Sequence, residues 1–125
     1  MANELILIVE DNEKNLKLAR DVLRFHGYRT VEATDGESAI TMSMEHLPAL
    51  ILMDIQLPGI DGIAAMKRIR ADDRTKHIPT VALTASVMTG DRERFDDAGF
   101  DGFIAKPIEV KNFPGQVQAY LDAKR

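Results

Sequence analysis

The sequence predicts a doubly wound α/β domain built on a parallel sheet. Short apolar runs alternate with stretches of helical pattern, and four of these runs stop at polar residues. Runs this short, with helices between them, are typical of parallel strands that are buried on both faces. The carboxyl ends of such strands share one edge of the sheet, where open α/β sheets bind their ligands. The runs are Leu5–Val9, Ala49–Met53, Pro79–Leu83 and Gly102–Ala105, and the residues that end them are Glu10 with Asp11, Asp54, Thr84 and Lys106.

Composition narrows the classes of function. The 125 residues fit a single domain, which we expect to span residues 1–125. The chain has no cysteine, which excludes disulfides and thiolate zinc sites. Its net charge of −4 argues against nonspecific binding to nucleic acid or to a membrane surface. No apolar stretch approaches the roughly 20 residues of a membrane span, and no basic leader precedes Leu5, so we expect a cytoplasmic protein.

Five strands and five helices are expected in alternation. The strands are the apolar or β-branched runs, which cover Leu5–Val9, Arg29–Ala33, Leu50–Met53, Thr80–Leu83 and Gly102–Ala105. The helices are the stretches between and after them, which cover Glu13–His26, Gly36–Glu45, Gly62–Ala71, Thr89–Ala98 and about Val110 to Ala123.

Capping residues and proline mark the ends of these helices. Asn12 and Asp61 are suited to N-caps, because a short polar side chain accepts hydrogen bonds from the first free N–H groups. Gly27 and Gly99 can adopt the left-handed conformation that often follows a last helical turn. Pro114 falls near the start of the last predicted helix, and proline lacks an N–H and is tolerated only in a first turn. We therefore expect that helix to start late or to be kinked.

The order of the strands follows from how each strand is covered. The first, third and fourth strands are apolar on both faces, whereas the second is mixed and the fifth is short. Mixed and short strands belong at the edges of a sheet. With right-handed crossovers these requirements give the order 2-1-3-4-5, which is the flavodoxin-like order. The order reverses between strands 1 and 3, and these two strands carry Glu10, Asp11 and Asp54.

The three acids predict a divalent cation site. Mg²⁺ prefers oxygen ligands and usually takes one or two protein carboxylates together with phosphate oxygens. Asp11 and Asp54 suit direct ligation, Glu10 has a longer arm that suits binding through water, and the backbone carbonyl of Gln56 can complete the shell. Each acid alone has a simpler interpretation, as a helix-terminal charge or a turn residue. Together they would repel one another strongly without a cation, which favours the metal site.

Three further residues complete the candidate site. Lys106 follows the fifth strand, where an ammonium group can pair with Asp54 and then with an added phosphoryl oxygen. Thr84 ends the fourth strand, and its hydroxyl can donate to such an oxygen, although threonine is also common in strands for its β propensity. Phe103 lies within the fifth strand, where a core aromatic is the simpler interpretation.

These motifs resemble the receiver domain of bacterial two-component response regulators. The resemblance covers essentially the whole chain and is carried by Glu10-Asp11, Asp54 in LILMDIQLPGIDG, Thr84 in VALTAS, and Lys106-Pro107 in FIAKP. The segment from Ile51 through Gly62 is similar to that of DivK-like single-domain regulators.

The resemblance implies a role for each site residue. Asp54 would accept a phosphoryl group from a sensor histidine kinase or a histidine phosphotransfer protein. Mg²⁺, or Mn²⁺ in its place, would be held by Asp11, Asp54 and the Gln56 carbonyl, with Glu10 acting through water.

The resemblance also implies a conformational switch. Lys106 would contact the phosphoryl group, Thr84 would move toward it, and Phe103 would turn inward. The bond between Lys106 and Pro107 would be a cis peptide. The chain would then be a signalling module and not an enzyme in the usual sense, because it would catalyse only its own phosphorylation and dephosphorylation. It would control a downstream protein target and would not contact nucleic acid directly.

Three alternatives start from the same strand ends. The chain could be a receiver module from a hybrid histidine kinase or from a DNA-binding regulator. It could be an aspartyl-nucleophile phosphatase, but such enzymes typically need a second acid two residues after the nucleophile, where this chain has Gln56. It could bind a nucleotide or a flavin, but neither G-x-x-x-x-G-K-[ST] nor G-x-G-x-x-G follows the first strand.

Overall fold

A computed structural model of the chain describes residues 3–85, 94 and 97–123. Within them one parallel sheet has the predicted order β2-β1-β3-β4-β5. The third and fourth strands each run one residue further than predicted, so that Asp54 and Thr84 are their last residues. The strands are β1 (Leu5–Val9), β2 (Arg29–Ala33), β3 (Leu50–Asp54), β4 (Thr80–Thr84) and β5 (Gly102–Ala105).

The described residues include helices α1 (Glu13–Phe25), α2 (Gly36–His46), α3 (Gly62–Ala71) and α4 (Phe113–Ala123). The helix predicted over Thr89–Ala98 lies almost wholly outside the described residues. None of the helices within them is long and apolar enough to cross a membrane.

The last helix starts late, as Pro114 predicts. The expected start was near Val110, but the regular helix begins at Phe113, and residues 110–112 form a turn. Phe113 donates its backbone N–H to the Glu109 carbonyl at 2.8 Å, so helical hydrogen bonding already begins in that turn. Pro114 has no N–H to give the Val110 carbonyl, which interrupts the ladder at this point.

Three helices begin at the carboxyl edge of the sheet with a side-chain cap. Asn12 Oδ1 accepts from the backbone N–H of Asn15 at 3.1 Å, which confirms the predicted N-cap of α1. Asp61 caps α3 in the same way as predicted, and Asp35 caps α2 by accepting from the N–H of Ser38 at 2.7 Å. Each cap satisfies a free N–H group and fixes where the chain turns from loop to helix.

The core has two parts, one on each face of the sheet, because successive strand residues point to opposite faces. One face packs against α1 and α4, and the other packs against α2 and α3. The central strands contribute to both parts, which is why they are apolar throughout. The first part includes Ile8, Leu52, Leu83, Leu23 and Phe113, and the second includes Val9, Met53, Ala82, Met66 and Ile69.

The strand register places the polar strand ends beside one another. Val9 pairs with Met53, so Glu10 and Asp54 follow at neighbouring positions. Thr84 pairs with Ala105 in the same way, and the backbone N–H of Lys106 donates to the Thr84 carbonyl at 2.8 Å.

At the opposite edge of the sheet, Arg70 joins the loops that lead into β4 and β5. Its guanidinium donates to the carbonyls of Lys76 and Ile78 and to Asp101 Oδ2, the last at 2.6 Å. The same oxygen of Asp101 accepts from the backbone N–H of Thr80 at 2.8 Å. We call this set of contacts the Arg70 latch.

Candidate functional site

The structure brings the predicted strand-end residues together at the carboxyl edge of the sheet. Glu10, Asp54 and Thr84 are buried there, with exposed fractions of 1%, 5% and 6%. Lys106 is partly buried and reaches over the two carboxylates, while Asp11 is exposed at the rim. The site is therefore a shallow polar pocket set into an apolar sheet, open to solvent on the Asp11 side.

Lys106 forms ion pairs with two acids at once. Its Nζ lies 2.7 Å from Glu10 Oε1 and 3.1 Å from Asp54 Oδ2. Burial by itself would lower the pKa of Lys106, but the hydrogen bonds and charges of Glu10 and Asp54 outweigh burial and raise that pKa. The ammonium group therefore stays charged beside Asp54. The pair with Asp54 was predicted from the sequence, and the pair with Glu10 was not.

The Asp54 carboxylate is held at both oxygens. Oδ1 accepts a hydrogen bond from the backbone N–H of Gln56 at 3.0 Å, and Oδ2 faces Lys106. Two contacts from different elements leave the carboxylate little freedom to rotate. A carboxylate fixed beside a cation can act as a nucleophile or as a metal ligand.

The surroundings of Glu10 raise the pKa of its carboxyl group. Burial, together with the neighbouring Asp54 carboxyl, raises the pKa of Glu10 to about 7, although Lys106 acts in the opposite direction. The backbone N–H of Asn12 points at Glu10 Oε2 from 3.5 Å, a long contact that contributes little. Crowding of two buried acids around one ammonium group leaves negative charge that the described side chains do not neutralise.

Glu10, Asp11 and Asp54 could hold a metal ion between them. One carboxylate oxygen from each residue lies within 4.8 Å of the corresponding oxygen of the other two. Three hard oxygen donors with one open side fit the preferences of Mg²⁺, which keeps several waters and takes few protein ligands. The donor set therefore fits the ion that the sequence predicts.

Two further predicted residues lie in the loop after β3 and within β5. Gln56 is exposed in the loop after β3, and Phe103 is half-buried and packs against the core part on the α2 and α3 side. The peptide bond between Lys106 and Pro107 is cis, which confirms that expectation.

Two contacts of the strands that carry the site were not predicted. Tyr120 on α4 donates its hydroxyl to the Phe103 carbonyl at 3.2 Å, and its ring lies across Gly102. Gly62 packs so closely that a Cβ there would lie 2.3 Å from the Asp54 carbonyl oxygen. The sequence marks Gly62 only as the residue after a cap, and a single sequence holds no signal that pairs Tyr120 with β5.

A protein-family model for the response regulator receiver domain matches residues 6–118. The chain belongs to this family. This receiver domain is 45% identical over 116 residues to the polar-differentiation response regulator DivK of Brucella anthropi, covering 93% of this chain and 94% of that protein. It is 44% identical over the same length to DivK of Brucella ovis, with the same shares covered.

Solved structures share the fold of this receiver domain. A putative response regulator from Chloroflexus aurantiacus is 32% identical with a TM-score of 0.90, covering 96% of this chain and 98% of that one. The receiver domain of a sensor histidine kinase from Pseudomonas aeruginosa is 36% identical with a TM-score of 0.88, covering 97% and 99%, and holds a magnesium ion in its active-site cleft. The chain is therefore a DivK-like receiver domain of two-component signalling with a flavodoxin-like fold.

Proposed function

We propose that Asp54 accepts a phosphoryl group from a phosphohistidine of a sensor histidine kinase or a histidine phosphotransfer protein. The observation that carries this proposal is the fixation of Asp54, with one oxygen on the Gln56 N–H and the other beside Lys106. Phosphoryl transfer needs positioning and charge stabilisation more than covalent help from the protein. The contacts at the two Asp54 oxygens would supply the positioning, and the ammonium group 3.1 Å away would supply the charge stabilisation.

The acids of the pocket would hold Mg²⁺, or Mn²⁺ in its place. Asp11, Asp54 and the backbone carbonyl of Gln56 would bind it directly, and Glu10 would bind it through water. When bound, the ion supplies positive charge that stabilises the transferring phosphoryl oxygens. The family match and the Mg²⁺ in the Pseudomonas aeruginosa receiver domain support this assignment.

Lys106 and Thr84 would respond to the added group. A phosphoryl group brings strong acceptor oxygens and negative charge next to β4. Lys106 can exchange its contact with Asp54 for one with a phosphoryl oxygen, and the Thr84 hydroxyl can donate to another. Phe103, on the neighbouring strand, would follow Thr84 by moving from its half-buried position toward the sheet.

This movement would change which protein the domain binds. The phosphorylated and unphosphorylated states must differ in contacts for a partner to tell them apart. We infer a downstream protein target and no direct contact with nucleic acid, in line with the DivK relatives and the net charge of −4. The domain would act in the cytoplasm, and its only reactions would be the gain and loss of its own phosphoryl group.

Intact mass spectrometry with a small phosphodonor tests the assignment of Asp54. With Mg²⁺ present, the wild type should gain one phosphoryl group. Asp54→Asn, which keeps the side-chain volume and the contact with Gln56, should gain none. Asp73→Asn is the matched control, because the Asp73 side chain is 93% exposed and lies away from the pocket. Labelling that persists in Asp54→Asn would overturn the proposal, as would labelling of the wild type that is unaffected by removal of Mg²⁺.

A further inference from the structure

The loop between β3 and α3 carries two groups that the proposed site depends on. The Gln56 N–H holds Asp54, and the Gln56 carbonyl is a proposed metal ligand. The start of the loop is anchored to β4, because the Ile55 N–H donates to the Leu83 carbonyl at 3.2 Å. The end of the loop is hydrogen-bonded to its start, since the Gly62 N–H donates to the Ile55 carbonyl at 3.0 Å.

The far side of this loop presses against the first turn of α2. A Cβ built on Gly36 would lie 2.6 Å from Ile60 Cγ1 and 2.6 Å from the Ile60 carbonyl oxygen. Carbon atoms do not approach so closely, so only glycine lets α2 come this near to the loop. The backbone of Gly36 is not left-handed, which means that the position requires space and not an unusual φ angle.

We propose that Gly36 is a positioning residue for the metal and phosphoryl site, acting through Ile60 on the loop that carries Gln56. This inference rests on the proposed function, because it concerns the same site. The contact has no role in that chemistry itself, since α2 supplies none of the pocket side chains.

The residues around Ile60 determine which part of the loop would move if an atom were added at Gly36. Ile60 is packed against the core part on the α2 and α3 side, so it has little room to retreat. The loop end is blocked as well, because a Cβ at Gly62 would lie 2.3 Å from the Asp54 carbonyl oxygen, and the chain there fits only glycine. The middle of the loop, which begins at Gln56 and turns at Gly59 with φ of 74°, is therefore where we expect the displacement to appear.

Gly36→Ala tests the contact between Gly36 and Ile60, because it adds one carbon atom at that contact. Asp35 caps the helix start independently, and alanine is favoured over glycine in helices, so the α2 helix itself should not be lost. Gly115→Ala is the matched control, because a Cβ at Gly115 meets nothing within 4 Å. The Mg²⁺ affinity of each variant is measured from amide chemical shifts, and unfolding by urea without metal reports stability separately.

We expect Mg²⁺ to bind the wild type and Gly115→Ala equally, and Gly36→Ala roughly tenfold more weakly, the size typical of lost support behind a metal ligand. An unchanged Mg²⁺ affinity in a folded Gly36→Ala would overturn the inference and leave the proposed function standing. A wild type that does not bind Mg²⁺ would overturn the proposed function and this inference with it.

Two further variants separate positioning from general damage. Ile60→Ala adds no atom and removes the side-chain part of the contact with Gly36 while keeping the Ile60 carbonyl, so it should also weaken Mg²⁺ binding, although less than Gly36→Ala does. In the double variant the close contacts to Cγ1 and Cδ1 are gone and only the approach to the Ile60 carbonyl remains, so its affinity should exceed that of Gly36→Ala alone. Losses that simply add would mean that the two residues act independently. An unchanged Mg²⁺ affinity in Ile60→Ala would contradict positioning through Ile60, even if Gly36→Ala did not fold.

Discussion

The ammonium group of Lys106 lies closer to Glu10, at 2.7 Å, than to Asp54, at 3.1 Å. Glu10 is thus the nearer of its two partners while Asp54 carries no phosphoryl group. An almost fully buried acid that is not itself the proposed acceptor keeps the cation in place beside the acceptor. The site is organised before any ligand arrives, which is the property that electrostatic stabilisation of a transition state requires.

Lys106→Met should destabilise the domain when Mg²⁺ is absent. Removing one partner of a fully buried ion pair costs about 3–5 kcal/mol, and the 17% exposure of the Lys106 side chain lowers our expectation to about 1–3 kcal/mol. Added Mg²⁺ binds only the folded acids and should recover more stability in this variant than in the wild type, because its positive charge would replace the ammonium charge that Glu10 and Asp54 have lost. Urea unfolding at neutral pH with and without Mg²⁺ measures both effects. Lys67→Met, at an exposed lysine, is the control, and equal stability of the two variants would contradict the expectation.

Tyr120→Phe should destabilise the domain by about 0.5–1.5 kcal/mol, the usual net value of one hydrogen bond. The variant removes only the hydroxyl that donates to the Phe103 carbonyl. Thermal or urea unfolding measures the change. Tyr28→Phe, which removes a hydroxyl bonded to Gln118 on the other side of α4, shows how far the effect is particular to β5. No loss in Tyr120→Phe would mean that water replaces this contact at no cost.

Gly102→Ala should also destabilise, and its effect should depend on Tyr120. A Cβ at Gly102 would lie within 2.5 Å of three atoms at the hydroxyl end of the Tyr120 ring. The ring must move to make room, so the cost of Gly102→Ala should shrink when Tyr120 is already alanine. A double-mutant cycle on urea unfolding gives the coupling between the two positions. Strict additivity would show that the strand moves and the ring does not.

Leu47→Asn should stabilise the domain. Leu47 caps the end of α2 with φ of 46°, in the left-handed region, and its side chain is 56% exposed. That conformation costs a non-glycine residue about 1–2 kcal/mol, whereas asparagine tolerates it better, so we expect a gain of about 0.5–1 kcal/mol. Thermal unfolding measures the gain. Val110→Asn, at a valine that is 57% exposed and has no positive φ, controls for loss of exposed apolar surface and should show no such gain.

Asp72 should contribute stability that is lost in acid. Hydrogen bonds from the Arg74 side chain and backbone lower the pKa of Asp72 from 3.8 to about 2. A lowered pKa means that the contribution is fully present above pH 3.8 and disappears as the pH falls toward 2. The difference in unfolding free energy between the wild type and Asp72→Asn should therefore shrink across that window. The same series on Asp73→Asn reports any general effect of removing a carboxylate from this loop, and a constant difference for Asp72→Asn would refute the assignment.

Most of the fold, and the grouping of the polar strand-end residues at one edge of the sheet, could be predicted from the sequence. The strands are short and apolar, so their ends are marked by single polar residues such as Asp54 and Lys106, and parallel topology then fixes which edge they share. The caps Asn12 and Asp61 and the late start of α4 at Pro114 also follow from local chemistry, since each depends on hydrogen bonds within a few residues.

The contacts that the sequence could not supply are those between distant segments. The ion pair between Lys106 and Glu10 depends on how far each side chain reaches across two intervening strands. The closeness of Gly36 to Ile60 depends on the packing of α2 against a loop, which no local pattern encodes. Leu47 in a left-handed cap is a third case, because leucine gives no sign of a position that normally favours glycine or asparagine.

The Arg70 latch fixes the amino ends of β4 and β5, whereas their carboxyl ends meet through the Lys106 N–H and the Thr84 carbonyl. It secures the segments that lead into β4 and β5 at the rim farthest from Asp54, where Thr80 and Asp101 share one bond network. Because these two neighbouring strands are held together at their amino ends, any separation between them is greatest at their carboxyl ends. A movement of Thr84 would therefore displace the carboxyl ends of β4 and β5, beside the pocket, far more than their amino ends.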